Sequence, residues 1–161
     1  MRKAGRDEEK GNSGNLRYGV KLLWDKETGG RAYVEGFPPL LFDRPVKFGG
    51  KSRFPCPDHY FFSAVGGCVI TTFLFFRGRL KLKMKELQVS VQGEVNSVGP
   101  EGYRVANLDI VVHVGVDEGE RSKAEKCAEL AREFCHLTRS LERGIPVSVK
   151  YEVGIVDSDE K

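Results

Sequence analysis

Little in this chain points to a nucleic acid or a membrane. Lysine and arginine total 26 against 23 acidic residues, a net charge of only +3. No basic run is interleaved with aromatics as a nucleic-acid face would be. The nearest approach, Arg77-Gly78-Arg79-Leu80-Lys81-Leu82-Lys83, alternates its charges as a solvated strand or loop does. No apolar run reaches the ~20 residues of a membrane span, because Gly66-Gly67 interrupts the longest, Tyr60 to Phe76. The polar stretch Met1 to Asn15 lacks the apolar centre of a signal peptide. These absences predict a cytoplasmic protein with no nucleic-acid or membrane partner. Cysteine is scarce, at four residues. In a reducing compartment such cysteines are expected to be free, catalytic or metal-bound, not structural disulfides. Phosphate loops are missing, since neither Gly29-Gly30 nor Gly49-Gly50 completes a nucleotide-binding pattern. Ser63, Thr71 and Thr72 lack the G-x-S-x-G setting of a hydrolase serine. No cofactor is expected.

What is present fits one globular domain with a single core: 161 residues, 40% hydrophobic and 30% charged. Residues 1–15 read as a disordered tail and 157–161 as an acidic tail, leaving 16–156 as the domain. Leu16 to Trp24 reads as a strand, Thr28-Gly29-Gly30 as a turn, Arg31 to Glu35 as a second strand and Leu40 to Phe42 as a short third. Pro57 suits the first turn of a helix, where its missing N–H costs nothing. That helix is predicted to run to Phe76, apolar on most faces and therefore buried. Gly66-Gly67 at its centre costs about 1 kcal/mol each relative to alanine, which predicts close packing by a second helix or another subunit. Leu87, Val89 and Val91 alternate with Gln88, Ser90 and Gln92, and Leu108, Ile110, Val112 and Val114 repeat the pattern, so residues 86–95 and 103–116 read as a hairpin. His113 falls on the solvent side. Ser122-Lys123-Ala124-Glu125 fits a capping box before a helix with Ala124, Cys127, Ala128, Ala131, Phe134 and Cys135 on one stripe. A short helical segment closes at Gly144, and a last strand runs from Ile145 to Val156. This order predicts an α+β fold, a mostly antiparallel sheet covering a buried helix.

Cys68 lies in the most apolar stretch and Cys135 ends the amphipathic helix, an arrangement that suggests a dithiol pair. Small buried residues filling the core are the alternative, because free cysteine packs as a small hydrophobe. A reactive thiol needs a nearby cation or helix N-terminus, and Cys68 at mid-helix would need an arginine from elsewhere. Cys127 reads as packing, and Cys56 as a thiol near the surface. A zinc site would use Cys56 and His59 with Cys135 and His136, a weak pattern spread over two elements; no metal is expected.

Pro57-Asp58-His59-Tyr60 through Gly66-Gly67-Cys68 resembles the P-E-E-L-x-x-A-x-x-A-x-C pattern that opens the central helix of the OsmC/Ohr family. Glu133-Phe134-Cys135 with Ile145-Pro146-Val147-Ser148-Val149 is similar to that family's second cysteine and final strand, and Leu41 to Pro45 with Gly49-Gly50 to the segment before the helix. The resemblance spans residues 16–156. It implies an intertwined homodimer with OsmC-like fold and a thiol-dependent peroxidase that prefers organic hydroperoxides. Cys68 would be peroxidatic, Cys135 resolving, and an external dithiol the reductant. Asp58 stands where the family often has glutamate, which orients an arginine against the thiolate; Arg31 is the favoured arginine, with Arg44, Lys47 and Arg53 as alternatives. His136 stands where proline is common. Asp58 and Cys68 are ten residues apart, about 15 Å along a helix, so Asp58 would have to serve Cys68 of a partner chain. The rival reading is a small-molecule or acyl-chain binding module in which Cys68 only lines an apolar pocket.

Overall fold

A computed structural model describes residues 16–145 and 147–155. The two predicted tails, 1–15 and 157–161, lie outside these residues, as does Val156 at the predicted domain's end. The chain divides into two compact units, residues 1–60 and 61–161.

The first unit is a three-stranded antiparallel sheet in the order β1 (Lys21–Trp24), β2 (Gly29–Tyr33), β3 (Leu40–Asp43). Its first strand is shorter than the sequence predicts. The predicted glycine turn is also displaced. The chain reverses at Asp25–Thr28, where Asp25 Oδ1 accepts the N–H groups of Glu27 at 2.8 Å and Gly29 at 3.2 Å. Gly29 and Gly30 sit within β2 because neighbours close on them. A Cβ on Gly29 would lie 2.1 Å from the Phe42 carbonyl oxygen, nearer than any side chain can sit. After β3 a 3-10 turn (Val46–Phe48) leads to an irregular segment and then to the first turn of helix α1 (Pro57–Leu80).

α1 is continuous for 24 residues, four beyond the predicted end. Gly66-Gly67 does not interrupt it. By length and composition it could cross a bilayer, contrary to the sequence expectation. Within the second unit, however, Val65, Gly66, Cys68, Val69, Phe73 and Phe76 of α1 are buried in a protein core. That core covers one face of a sheet ordered β4 (Glu86–Ser97), β5 (Tyr103–Val116), β6 (Val147–Ile155). β4 and β5 form the predicted hairpin, with a bulge between Glu94 and Val95. Leu108, Ile110, Val112 and Val114 are buried, whereas Gln88, Ser90, Gln92 and His113 are exposed. His113 Nδ1 pairs with Glu152 at 2.8 Å on that outer face. β6 joins β5 in parallel, the one departure from an antiparallel arrangement. Parallel pairing needs a long crossover, which here contains α2 (Arg121–Phe134) and α3 (His136–Leu141).

The glycine pair packs differently from the expectation of a helix or subunit against both members. Gly66 faces β4: a Cβ there would lie 3.0 Å from Val91 Cγ2, while a Cβ on Gly67 would meet nothing within 4 Å among the described residues beyond its own helix. α2 starts one residue before the predicted cap. Ser122 lies inside the helix and Glu120 precedes it with no side-chain cap. Glu120 is engaged elsewhere, accepting Lys83 N–H and Lys123 Nζ, each at 2.9 Å. Ala124, Cys127, Ala128 and Ala131 are buried as the periodicity predicts, but Phe134 is exposed.

Candidate active site

The second unit brings together both thiols singled out from the sequence. Cys68 sits on the buried face of α1 with Val65 and Val69, and is 9% exposed. Cys135 lies between two helices. Its backbone leaves helical geometry (φ −68°, ψ 105°) while its N–H still bonds the Ala131 carbonyl at 3.0 Å. This break ends α2, starts α3 and buries Cys135 at 1% exposure, in keeping with its place on the predicted apolar stripe. Thr138, also buried, donates its hydroxyl to the Cys135 carbonyl at 3.1 Å. The two sulfur atoms are 3.3 Å apart. Both thiols are free, and a disulfide requires about 2.05 Å, so the pair is in contact but unbonded.

Burial pushes the Cys68 thiol above the ordinary cysteine range. The Leu137 N–H, bonded to the sulfur, pulls the other way; Cys135 raises it further and Thr72 lowers it. Thr71 and Thr72 hydroxyls both donate to the Cys68 carbonyl, at 3.1 and 2.8 Å. His136 Nδ1 lies 3.5 Å from Cys68 Sγ, a contact that sequence reasoning missed as a partner for this thiol. The adjacent Cys135-His136 pair was the available signal. Tyr151 of β6 stacks on Phe73 with ring centroids 6.5 Å apart. Its buried hydroxyl has no hydrogen-bond partner among the described residues, and burial raises its pKa.

The other predicted site residues belong to the first unit. Arg31 lies within β2, opposite Leu23 and Leu41, in the strand read from the sequence. It is exposed, and no ion pair or side-chain hydrogen bond engages it among the described residues. Asp58 is in the first turn of α1, 3.5 Å from the Cys56 sulfur. Cys56 also contacts His59 Nδ1 at 3.0 Å. Arg53 is already engaged. It meets Asp43 at 2.7 Å, Asp25 at 2.6 Å and Glu27 at 2.8 Å. Arg44 bonds the Gly49 carbonyl at 3.0 Å. No group of three or more metal-ligating side chains gathers among the described residues.

The chain thus combines two three-stranded sheets in an α+β fold with a buried pair of contacting thiols. Residues 49–150 match the family model described as OsmC-like protein, and the chain belongs to that family. Its fold is similar to an OsmC-like protein from Mycoplasma pneumoniae, at 13% identity and TM-score 0.73, with 87% of this chain and 99% of that one covered. It is also similar to an organic hydroperoxide resistance protein from Elizabethkingia anophelis, with thiocyanate bound, at 14% identity, TM-score 0.72 and coverage of 89% and 100%. A third, from Legionella pneumophila and also described as an organic hydroperoxide resistance protein, aligns at 18% identity and TM-score 0.63, with 87% and 99% covered. No curated protein matches by sequence.

Proposed function

We propose that the protein is a thiol-dependent peroxidase that reduces organic hydroperoxides through a Cys68–Cys135 dithiol cycle. The observation that carries this reading is the 3.3 Å contact between two buried sulfurs, one on α1 and one at the break between α2 and α3. The Cys68 thiolate attacks the distal oxygen of the hydroperoxide. The O–O bond breaks, an alkoxide leaves and takes up a proton, and Cys68 becomes a sulfenic acid. Cys135 then displaces water from that sulfur to form the disulfide. An external dithiol restores both thiols by exchange and is itself oxidised. Phe61, Phe62 and Phe73 supply an apolar surround that favours an organic peroxide. The family resemblance supports a homodimer working in the cytoplasm, with Asp58 and Arg31 of one copy serving Cys68 of the other. Two features agree with such pairing: Arg31 lacks an internal partner among the described residues, and the first unit exposes Leu22, Leu23, Trp24 and Phe37.

One observation favours the rival reading of an apolar binding module. Burial pushes the Cys68 thiol up, which is what an unreactive pocket-lining residue would show. Treatment of the reduced protein with stoichiometric organic hydroperoxide, followed by mass-spectrometric mapping, separates the two. Rapid formation of a Cys68–Cys135 disulfide, abolished by Cys68→Ser, is the expected result. Persistent free thiols at both positions would reject the peroxidase and favour the pocket.

A further inference from the structure

The peroxidase reading leaves the Cys68 proton without a destination, and the second unit offers one. We propose that His136 is a catalytic base for this thiol: its Nδ1 accepts the Cys68 proton as the sulfur becomes nucleophilic and returns it to the departing alkoxide. The inference rests on the peroxidase reading but concerns a different step.

The geometry is specific. His136 Nδ1 is 3.5 Å from Cys68 Sγ, within the range of a hydrogen bond involving sulfur. Contacts of this kind are often long before substrate binds. The neighbours of Cys68 in this unit are otherwise poor bases. Cys135 is a second thiol, Thr71 and Thr72 donate their hydroxyls to the Cys68 carbonyl, and the Leu137 backbone offers only an N–H. Tyr151, across the core on β6, holds its proton more tightly than an ordinary tyrosine because it is buried. The charged groups nearby on α2 and α3 are Arg132, whose charge reaches Tyr151, Arg139, which pairs with Glu142 at 3.8 Å, and Glu129 and Glu133, which line an outer surface with them. The arginines cannot take a proton, and no hydrogen bond joins the carboxylates to Cys68 among the described residues.

His136 also suits the task by its surroundings. It is exposed while the sulfur it meets is buried. Water can therefore solvate the imidazolium that forms, while the thiolate stays in the apolar interior. Histidine is the side chain whose ordinary titration falls nearest neutral pH, which matches a base that must both take and return a proton. The role requires the tautomer with its proton on Nε2, leaving Nδ1 free to accept. The step balances without any further reactant. The S–H bond breaks and Nδ1–H forms; sulfur then gains the distal oxygen, the O–O bond breaks, and the imidazolium proton ends on the alcohol.

Alkylation of Cys68 by iodoacetamide, followed residue by residue with mass spectrometry, tests the step without any peroxide. His136→Asn and His136→Gln keep a polar acceptor near the sulfur but cannot hold the proton. Both variants are expected to alkylate Cys68 about 100-fold more slowly near neutral pH, with the gap to the wild type narrowing as hydroxide takes over the deprotonation at higher pH. Wild-type rates and an unchanged pH profile in either variant would overturn the proposal. So would a loss confined to one variant, since that reports packing. The two readings fail separately. If His136→Asn alkylates normally while hydroperoxide still forms the disulfide, only the base is wrong. If alkylation depends on His136 but hydroperoxide leaves both thiols free, only the peroxidase is wrong.

Discussion

The first unit buries charge and exposes apolar surface, and the second does the reverse. In the first, Asp43 is 1% exposed while Trp24 is 70% and Phe37 72% exposed. The irregular segment after β3 is tied down by Arg53, which spans Asp43, Asp25 and Glu27. In the second, Phe73, Leu108 and Val112 are fully buried, and the ion pairs lie on the outer faces. A three-stranded sheet of four- and five-residue strands has little apolar interior to hold it. Directional polar contacts replace one. The contrast teaches where to expect sensitivity: the second unit should respond to changes of volume, the first to changes of charge.

The largest effect should come from Phe73→Ala. Phe73 is fully buried and stacks on Tyr151, so the lost transfer energy and the residual cavity should cost about 3–5 kcal/mol. Urea denaturation measures this, and a loss well under about 1 kcal/mol would break the claim that volume holds this unit. Gly93→Ala tests the opposite error. A Cβ there would meet Phe62 Cζ at 2.5 Å and Leu108 Cδ2 at 2.8 Å, and such overpacking typically costs about 1–3 kcal/mol. A neutral outcome would mean that the Phe62 ring turns aside freely.

Asp43→Asn carries the comparison into the first unit. The Arg53 guanidinium, with Thr28 and two backbone N–H groups, holds the Asp43 carboxyl well below the usual carboxylate range. A carboxylate depressed in the folded state stabilises it above the unfolded value of about 3.9, and that stability is lost as pH falls further. The wild type should therefore weaken below about pH 4. Asp43→Asn should be less stable at neutral pH and should lose less on acidification. Asp25, which despite desolvation is held low by the Glu27 N–H and Arg53, together with Glu120 and Glu152, held low by Lys123 and Lys150, should supply what remains of the acid limb. The cost at neutral pH should be smaller than at Gly93, because Arg53 keeps Asp25 and Glu27. Parallel acid curves for mutant and wild type would refute the charge-held description.

Alternation made the β4–β5 hairpin legible in sequence, and the 3.6-residue period did the same for the buried face of α2, because both elements bury one face against the same core. Features set by distant pairing were not legible. Nothing local shows that β6 runs parallel to β5, or that Gly29-Gly30 lies in a strand whose neighbours crowd it. The capping box misled because Ser122 fits the local pattern while Glu120 is drawn toward Lys83 and Lys123. At the site, position on two apolar elements singled out Cys68 and Cys135 and family resemblance assigned their roles, but no spacing rule brings residues 68 and 135 together. His136 escaped notice as a partner because its contact with Cys68 arises only when the chain breaks between α2 and α3.

The smallest predicted effect bears most directly on assembly. Gly66 and Gly67 are adjacent on α1 yet differ in surroundings: Val91 closes on Gly66, whereas among the described residues nothing beyond the adjoining turns of α1 lies within 4 Å of a Cβ on Gly67. If the chain acts alone, Gly67→Ala should add about 1 kcal/mol from helix propensity, visible as a higher melting temperature. In the homodimer proposed above, α1 of a second copy could occupy that open face, and the same methyl group would then wedge the two helices apart. The wild type should in that case be dimeric by analytical ultracentrifugation, with Gly67→Ala raising its dissociation constant. A variant that is more stable and unchanged in assembly would leave Gly67 outside any interface, and the partner would have to be sought on the exposed apolar side chains of the first sheet.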